Sequence, residues 1–551
     1  MTGQTDRLEV AGRRYSQDTT LLDSDNDVEL NSEKQPPLMS GNAWVDSALD
    51  GVRSLRTSLD KNLPSTPTTP PKKLLRNALI FLIPSFLSPH STLEFKKYKP
   101  NSTEWLDGLR GIAAFFVFVY HHVVAYTGEE HDYAWDPKRH PHPIHLPILR
   151  LFYSGTPMVR VFFVISGFAL TYRPVKLMRK AGSQGALMKN IASSVFRRYL
   201  RLFLPCLGAY FLIHCIRAWG AFDWFEVRHV ANKNLLPGDI EKYPAKSPDG
   251  FMGQMGVMFD EFYRFAVRNP ILHEGYDFAT DKHMWTIPTE YQQSMGLFLL
   301  VAMVSHLRRN FRVYVVIPYI YFFWTYYKRY DYPLFVSGYF FAELHAAFET
   351  PSPLPTSQQQ PSSTSQERSL RKSAKTIFWS FVAFVGLYLL SFPTRDGDDT
   401  FGYITLCRLM AKESYYTKRV AYQSFGATTL CFALLYLPRA QAYLSLPLFQ
   451  YLGRVSFSLY LMHGMVIRTM GHRLVLQGWS LYPEDAYGGR MFIIVVVYLF
   501  AVLPVTMWLS DVFWRLVESP ATNFVRWSEG LVIARDEKES VGHGHGQVKT
   551  A

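Results

Sequence analysis

Long apolar runs separated by polar segments constrain this chain of 551 residues more than any other feature. RMFIIVVVYLFAVLPVTMWL (Arg490 to Leu509) is one such run, and PSPLPTSQQQPSSTSQERSLRKS (Pro351 to Ser373) is one of the polar segments. The two kinds of segment cancel in the average, so the mean hydropathy is only −0.03 although 48% of the residues are hydrophobic. Apolar runs of about 18 or more residues are typical of membrane-spanning helices. The sequence therefore predicts an all-α polytopic membrane protein.

About ten runs are candidates for transmembrane helices. They lie at residues 107–127, 156–173, 199–217, 285–305, 312–327, 333–349, 375–393, 422–438, 449–472 and 491–513. Basic segments follow the second, fourth and sixth of these runs, and acidic segments follow the first, seventh and ninth. Because Lys and Arg accumulate in cytoplasmic loops, this alternation predicts that both termini are cytosolic. The same rule accounts for the net charge of +13, so no nucleic acid partner is expected.

The remaining segments complete the predicted organisation of a multi-pass protein of an endomembrane or the plasma membrane. It comprises a disordered cytosolic N-terminal region (1–72), an interfacial segment (73–99), a transmembrane domain (100–526) with a lumenal insert (218–284) and a cytosolic loop (350–374), and a disordered cytosolic tail (527–551). In the tail, His543 and His545 are better explained by a solvated segment than by a metal site. The sequon at Asn101 would face the cytosol and stay unmodified. The four cysteines form no CxxC pair, so no metal site is predicted.

The stretch LRGIAAFFVFVYHH (Leu109 to His122) carries an arginine at its start and two histidines at its end. At about 100° per residue, Arg110 and His121 lie on one face of a helix, about 16 Å apart along its axis. His122 points about 100° away, onto another face. Arg110 would stand at the cytosolic edge and His121 beyond the midplane.

Three other polar residues within the predicted spans fall at a depth similar to that of His121. They are Arg160, Glu290 and His463. A charge at the bilayer centre costs about 2.5–3.5 kcal/mol on insertion scales, so we expect each of these residues to have a structural or functional role. We therefore expect one shared cavity, with an ion pair between Arg160 and Glu290. Structural explanations stay open: an interhelical hydrogen bond for His463, a cytosolic anchor for Arg110 and a packing ion pair for the other two.

Four motifs carry a resemblance to a known family. LDGLRGIAAFFVFVYHH, FFVISGFALTYR, MWTIPTEY and YLGRVSFSLYLMH resemble the motifs of the membrane acyltransferase-3 family and occur in its order. RLVESPA resembles the family's closing Glu-x-Pro element, and Arg110 and His121 match its Arg-x10-His motif. The likeness covers about residues 100–525. QQSM after Glu290, the long insert and the long loop depart from the family's pattern, which leaves the acceptor open.

The resemblance implies transfer of an acyl group, usually acetyl, from cytosolic acyl-CoA to a hydroxyl of a glycan, lipid or small molecule. Acyl-CoA is then a co-substrate, and no resident cofactor is expected. His121 would be the general base, with Glu290 orienting it or the acceptor. The residues expected to bind acyl-CoA or the acceptor are Arg110, Arg160, Arg197, Arg198, Arg201 and His463.

Other functions fit parts of the same pattern. Intramembrane Arg, Glu and His also mark proton or substrate pathways, as in a multi-span transporter. A haem protein could use His121 or His122 with His463 as axial ligands. A membrane scaffold would explain the long tails but not the buried charges. The acyl chain, the oligomeric state and the role of the insert stay open.

Overall fold

The computed structural model describes residues 81–85, 103–180, 182–231, 236–238, 243–272, 280–326, 330–349, 365–482 and 487–532. Within these ranges the chain is mainly helical and forms no strand. The α-helices are α1 Glu104–Thr127, α2 Gly155–Arg179, α3 Gln184–Ala218, α4 Asp223–Ala231, α5 Gly250–Tyr263, α6 Asn269–Leu272, α7 Thr286–Val304, α8 Arg309–Thr325, α9 Asp331–Glu349, α10 Ser365–Leu390, α11 Ile404–Leu409, α12 Tyr415–Leu434, α13 Pro438–Leu444, α14 Pro447–Val466, α15 His472–Trp479, α16 Tyr487–Val497, α17 Leu503–Phe513 and α18 Ser519–Val532. Wider π-helical turns, Ile467–Gly471, Tyr498–Val502 and Trp514–Glu518, join α14 to α15, α16 to α17 and α17 to α18.

Several of these helices are suited to a membrane. Those long and apolar enough to cross one are Glu104–Thr127, Gly155–Arg179, Gln184–Ala218, Arg371–Leu390 and Gly488–Leu531. The pair α12 and α13, bent by 101°, is a sixth candidate. Helices also cover the other four predicted runs, as α7, α8, α9 and α14. The all-helical class is therefore confirmed and the protein is a membrane protein, with five or six candidate spans among the described residues.

Helices α1 and α14 meet along a glycine contact. A Cβ atom on Gly111 would collide with the backbone of Gly453 and with Leu452. The two helices therefore approach closely, as small residues allow inside membranes. This approach brings the Arg110 guanidinium to the Gly453 carbonyl oxygen, 2.7 Å from Nη2, and to the Ser456 hydroxyl, 3.0 Å from Nε.

Two helices extend beyond the predicted limits of the transmembrane segments. Helix α18 continues to Val532, whereas the sequence predicted a disordered tail from residue 527. Its helical period buries Val525, so packing extends the helix. Helix α10 begins at Ser365, inside the predicted loop 350–374, because Glu, Arg, Leu, Lys and Ala in that stretch are strong helix formers.

The predicted insert 218–284 contains α4, α5, α6 and a 3₁₀ turn, Lys282–Trp285. Residues 81–85 of the predicted interfacial segment contact α17: the Ser85 N–H donates to Asp511 Oδ2 over 2.9 Å, and Trp508 Nε1 donates to the Leu82 carbonyl over 2.8 Å. The rest of that segment, the N-terminal region 1–72, Asn101, His543 and His545 lie outside the described residues.

Candidate active site

A cavity of about 190 Å³ lies between α1, α2, α3, α7, α14 and the C-terminal helices. Apolar side chains, mainly from α2, form much of its wall. The charged residues on the wall are Arg110, Arg198, Arg201, Arg454, Arg526, Glu290 and Glu518. Five arginines against two glutamates give the cavity a net positive charge, which suits an anionic ligand.

Glu290 is held by α3 and α2. Arg198 Nη2 lies 2.6 Å from Glu290 Oε1, and the Ser166 hydroxyl donates to the same oxygen over 3.0 Å. Arg198 Nε also donates to the Ser294 hydroxyl over 2.9 Å. This ion pair joins three helices at the cavity wall.

The predicted Arg160–Glu290 pair is therefore wrong. Arg160 does not line the cavity, and the charges that act on it are those of Arg419 and Asp331. The reason is helical phase. Arg160 and Ser166, which does reach Glu290, are separated by six residues of α2, or about 240° after whole turns, and lie on different faces.

The closing Glu-x-Pro element places its glutamate on the opposite wall. The Ser458 hydroxyl donates to Glu518 Oε2 over 2.5 Å, and the charges of Arg110 and Arg201 act on the same carboxylate. Arg454 stacks over the Trp514 ring, 5.6 Å from its centre. Sequence reasoning omitted Glu518, Arg454 and Arg526 from the site, although the first two lie within quoted motifs.

Arg197 lies outside the cavity. Its Nε is 3.3 Å from Glu529 Oε2 on α18, and its side chain is 30% exposed. The ion pair turns the Arg197 side chain toward α18, whereas Arg198 and Arg201 reach the cavity wall. Of the arginines predicted on α3, the structure brings two to the cavity and leaves one out.

Three histidines cluster beyond one end of the cavity. The ring centre of His121 is 5.1 Å from that of His463 and 5.4 Å from that of His283, and the His283 and His463 ring centres are 4.2 Å apart. His122 lies on another face of α1, with Nε2 3.3 Å from the Ile494 carbonyl oxygen. The shared position of His121 and His463 thus follows from the predicted depths, whereas His283 was not predicted.

Hydroxyl groups connect the cavity to this three-histidine cluster. Thr286 and Tyr460 line the cavity, and their hydroxyl oxygens are 2.6 Å apart. The Tyr460 hydroxyl also donates to the backbone carbonyl of His283. Val117, one turn before His121 on α1, lies on the cavity wall as well. The cluster therefore adjoins the end of the cavity that Tyr460 closes.

A buried ion-pair chain supports the cluster. His283 Nδ1 is 2.5 Å from Asp281 Oδ1, and Arg468 Nη2 is 3.1 Å from Asp281 Oδ2. All three residues are at most 3% exposed. The sequence signal was the Asp-Lys-His directly before MWTIPTEY, but these residues lie at the start of a 3₁₀ turn, where helical periodicity gives no guide. Among the described residues, no group of three or more His, Cys, Asp or Glu side chains is arranged to hold a metal ion.

The connection between α1 and α2 lies near this end of α1. The His131 ring centre is 5.7 Å from that of Tyr120, which neighbours His121. Burial lowers the pKa of His131 and of His145 below the usual value. Both imidazoles are therefore neutral at pH 7, and they add no positive charge near the three-histidine cluster.

Comparison with known proteins identifies the family. The acyltransferase-3 profile, described as an acyltransferase domain, matches residues 103–515. The chain is 27% identical to O-acetyltransferase PaAT-1 of Phomopsis amygdali over 507 residues, covering 88% of this chain and 94% of that protein. It is 23% identical to acyltransferase clz18 of Cochliobolus lunatus (77% of this chain, 96% of that protein) and 24% identical to acyltransferase R4 of Phoma sp. (77% and 95%). No solved structure matches the chain. The profile match covers most of the sequence, and the chain therefore belongs to the acyltransferase-3 family and is an acyltransferase.

Proposed function

We propose that this protein is an integral membrane O-acyltransferase that moves an acyl group, acetyl in the first instance, from cytosolic acyl-CoA to a hydroxyl of a glycan, lipid or small molecule. The observation that carries the proposal is the arginine-lined cavity that ends, at Tyr460 and Thr286, beside the three-histidine cluster. One part of the site suits the anionic donor, and the other suits proton transfer. The name of the Phomopsis amygdali relative, an O-acetyltransferase, agrees with the choice of acetyl.

The cavity arginines would hold the phosphates of acyl-CoA. Guanidinium groups bind phosphate oxygens through paired, charge-assisted hydrogen bonds. Arg110, Arg198 and Arg201 stand toward the predicted cytosolic end, and the apolar wall of α2 would cover the pantetheine arm. Arg110 and His121 are about 16 Å apart along α1, a separation that suits an extended arm of this kind. The thioester would then reach Tyr460 and the histidines.

His121 would remove the proton from the acceptor hydroxyl. A neutral imidazole is suited to accept a proton from a hydroxyl group. The hydroxyl oxygen attacks the thioester carbonyl, a C–O bond forms and the C–S bond breaks. The proton held by His121 then passes to the departing CoA thiolate. Atoms and charge balance without a further reactant, and no resident cofactor is required.

The proposal includes the topology that the loop charges predict, namely about ten spans with both termini cytosolic. In this arrangement the arginines face the cytosolic donor and His121 lies in the far half of the membrane. An acceptor could then approach from the lumenal side, near the insert 218–284.

The test is acyl transfer from radiolabelled acetyl-CoA in membranes that contain the wild-type protein, the His121→Ala variant or the His122→Ala control. We expect label in a lipid, glycan or small-molecule fraction with wild type and with the control, but not with His121→Ala. The labelled fraction identifies the acceptor class.

Two outcomes would contradict the proposal in different ways. Equal labelling by His121→Ala and wild type would still support acyl transfer but would show that His121 is not the general base. Absence of label from the wild type with acetyl-CoA and with longer acyl-CoAs would overturn acyl-CoA as the donor.

A further inference from the structure

Hydrogen-bond acceptors face both ring nitrogens of His283. Nδ1 is 2.5 Å from Asp281 Oδ1, and Nε2 is 2.8 Å from the Tyr460 carbonyl oxygen. A carbonyl oxygen only accepts, so Nε2 must carry a proton. The Asp281 carboxylate lies between His283 Nδ1 and Arg468 Nη2, which is 3.1 Å from its other oxygen, so two basic groups flank one buried acid. This ion-pair contact gives His283 the surroundings of an imidazolium cation.

The surroundings lock this cation in place. Arg468 Nη1 donates to the Thr280 carbonyl over 2.9 Å, and Arg468 Nε donates to the Gly464 carbonyl over 3.1 Å. A Cβ atom on Gly464 would lie 2.6 Å from His283 Cε1 and 3.1 Å from both Asp281 carboxylate oxygens. Only glycine at this position of α14 therefore leaves room for the ion pair. His283, Asp281 and Arg468 together carry a net charge of +1 beside the proposed reaction centre.

We propose that His283 is a positioning residue whose fixed positive charge acts through His121 and His463. This inference rests on the proposed function. His283 is not the general base, since Nε2 donates to the Tyr460 carbonyl and Nδ1 is occupied by the ion-pair contact with Asp281. A fixed cation 5.4 Å from the His121 ring centre also stabilises negative charge that develops on the thioester carbonyl oxygen and the departing thiolate.

The same cation defines the state of His463. The two ring centres are 4.2 Å apart, too close for two imidazolium ions in a buried site. His463 Nδ1 is 3.1 Å from the Leu459 carbonyl oxygen and therefore carries the single proton of a neutral ring. His463 is thus a neutral spacer between the His283 cation and α1, with its ring against His121. In the three-histidine cluster, His283 is thus the cation, His463 the neutral spacer and His121 the base.

The protonation state can be measured without activity. In ¹⁵N-histidine-labelled full-length protein in lipid bilayers, solid-state NMR at pH 9 should show an imidazolium signal, because the Asp281 carboxylate 2.5 Å away pairs with the charge. The signal should be lost in His283→Gln and kept in His122→Gln, a matched change at another buried histidine. A wild-type spectrum without an imidazolium signal at pH 9 overturns the proposal, whether or not the variants fold.

The role in transfer is tested with radiolabelled acetyl-CoA in membranes, using His283→Gln and His283→Lys. Loss of one preorganised electrostatic contact at a reaction centre costs about 100-fold in rate, so we expect His283→Gln to be slower by about that factor. Affinity for acetyl-CoA should change less than twofold, because His283 does not line the cavity. His283→Lys, which restores the charge, should recover at least part of the rate.

These outcomes separate the two proposals. Equal rates for His283→Gln and His283→Lys, both far below wild type, would show that the charge of His283 has no role in transfer. A wild-type rate in His283→Gln would show that His283 has no role in transfer at all. If the wild type transfers no label from any acyl-CoA, the proposed function fails, while the NMR result still decides whether His283 is a cation.

Discussion

The cavity and the three-histidine cluster are built in opposite ways. The cavity has a volume of about 190 Å³, and its five arginines come from helices α1, α3, α14 and α18. The three-histidine cluster depends on one short turn: His283 lies in Lys282–Trp285, Asp281 directly precedes it, and both fit only because Gly464 has no side chain. A phosphate-binding wall tolerates small displacements because guanidinium side chains are long and adaptable. A reaction centre does not, because rate depends on distances of a few tenths of an ångström. The cluster should therefore be more sensitive to substitution than the cavity.

The largest effect should follow from removing the base. We expect His121→Ala to lower the rate of acyl transfer by about 10³-fold, a typical contribution of general-base catalysis. Affinity for acetyl-CoA should stay within twofold, because the donor phosphates are assigned to the arginines. The two quantities are measured by label incorporation and by equilibrium binding of radiolabelled acetyl-CoA to the purified protein. A parallel loss of rate and affinity would mean that cluster and cavity are not separate sites.

A single methyl group should also affect the cluster strongly. Gly464→Ala places a Cβ 2.6 Å from His283 Cε1, so the ion pair must move away from α14. A displacement near 1 Å at a reaction centre costs about 100-fold in rate, and we expect a loss of that order in label incorporation. Gly185→Ala on α3 is the control, since no atom lies within 4 Å of a Cβ built there. A Gly464→Ala variant with wild-type rate would show that the turn tolerates displacement.

Two arginines on α3 allow a test of whether the cavity binds acetyl-CoA. Arg201 lines the cavity, whereas Arg197, one turn earlier, pairs with Glu529 outside it. A hydrogen bond to a charged group contributes about 1.5–3 kcal/mol, so Arg201→Ala should weaken acetyl-CoA binding by about tenfold or more. Arg197→Ala should change it less than twofold. Equal losses in the binding assay would mean that the phosphates extend beyond the cavity wall to Arg197.

The sequence predicted those features that repeat along a helix. The common face of Arg110 and His121 follows from the period of α1, and the common depth of His121 and His463 follows from counting residues into each span. The rotation of one helix against another does not follow from either rule, which is why Arg160 was assigned the partner that Arg198 has in the structure. His283 and Asp281 were missed for a different reason. His283 lies in a 3₁₀ turn and Asp281 directly before it, outside any periodic segment, and their contact with α14 depends on a glycine 181 and 183 residues away in sequence, respectively.

The smallest effect should come from Arg160, and it decides between the predicted and the observed ion pair. Glu290→Gln removes the carboxylate that Arg198 contacts at 2.6 Å, so we expect acetyl-CoA binding to weaken by about tenfold, as for loss of one partly buried charged hydrogen bond of about 1.5 kcal/mol. Arg160→Gln should change both affinity and transfer rate less than twofold, because Arg160 is outside the cavity wall and faces Arg419.

The double variant separates the two possible partners of Glu290. If Arg160 were that partner, each single variant would lose the same amount of affinity for acetyl-CoA, and the double variant would lose no more than either. Additive losses in the double variant, measured by the same binding assay, are expected for the arrangement described here, because residues without a shared partner act independently.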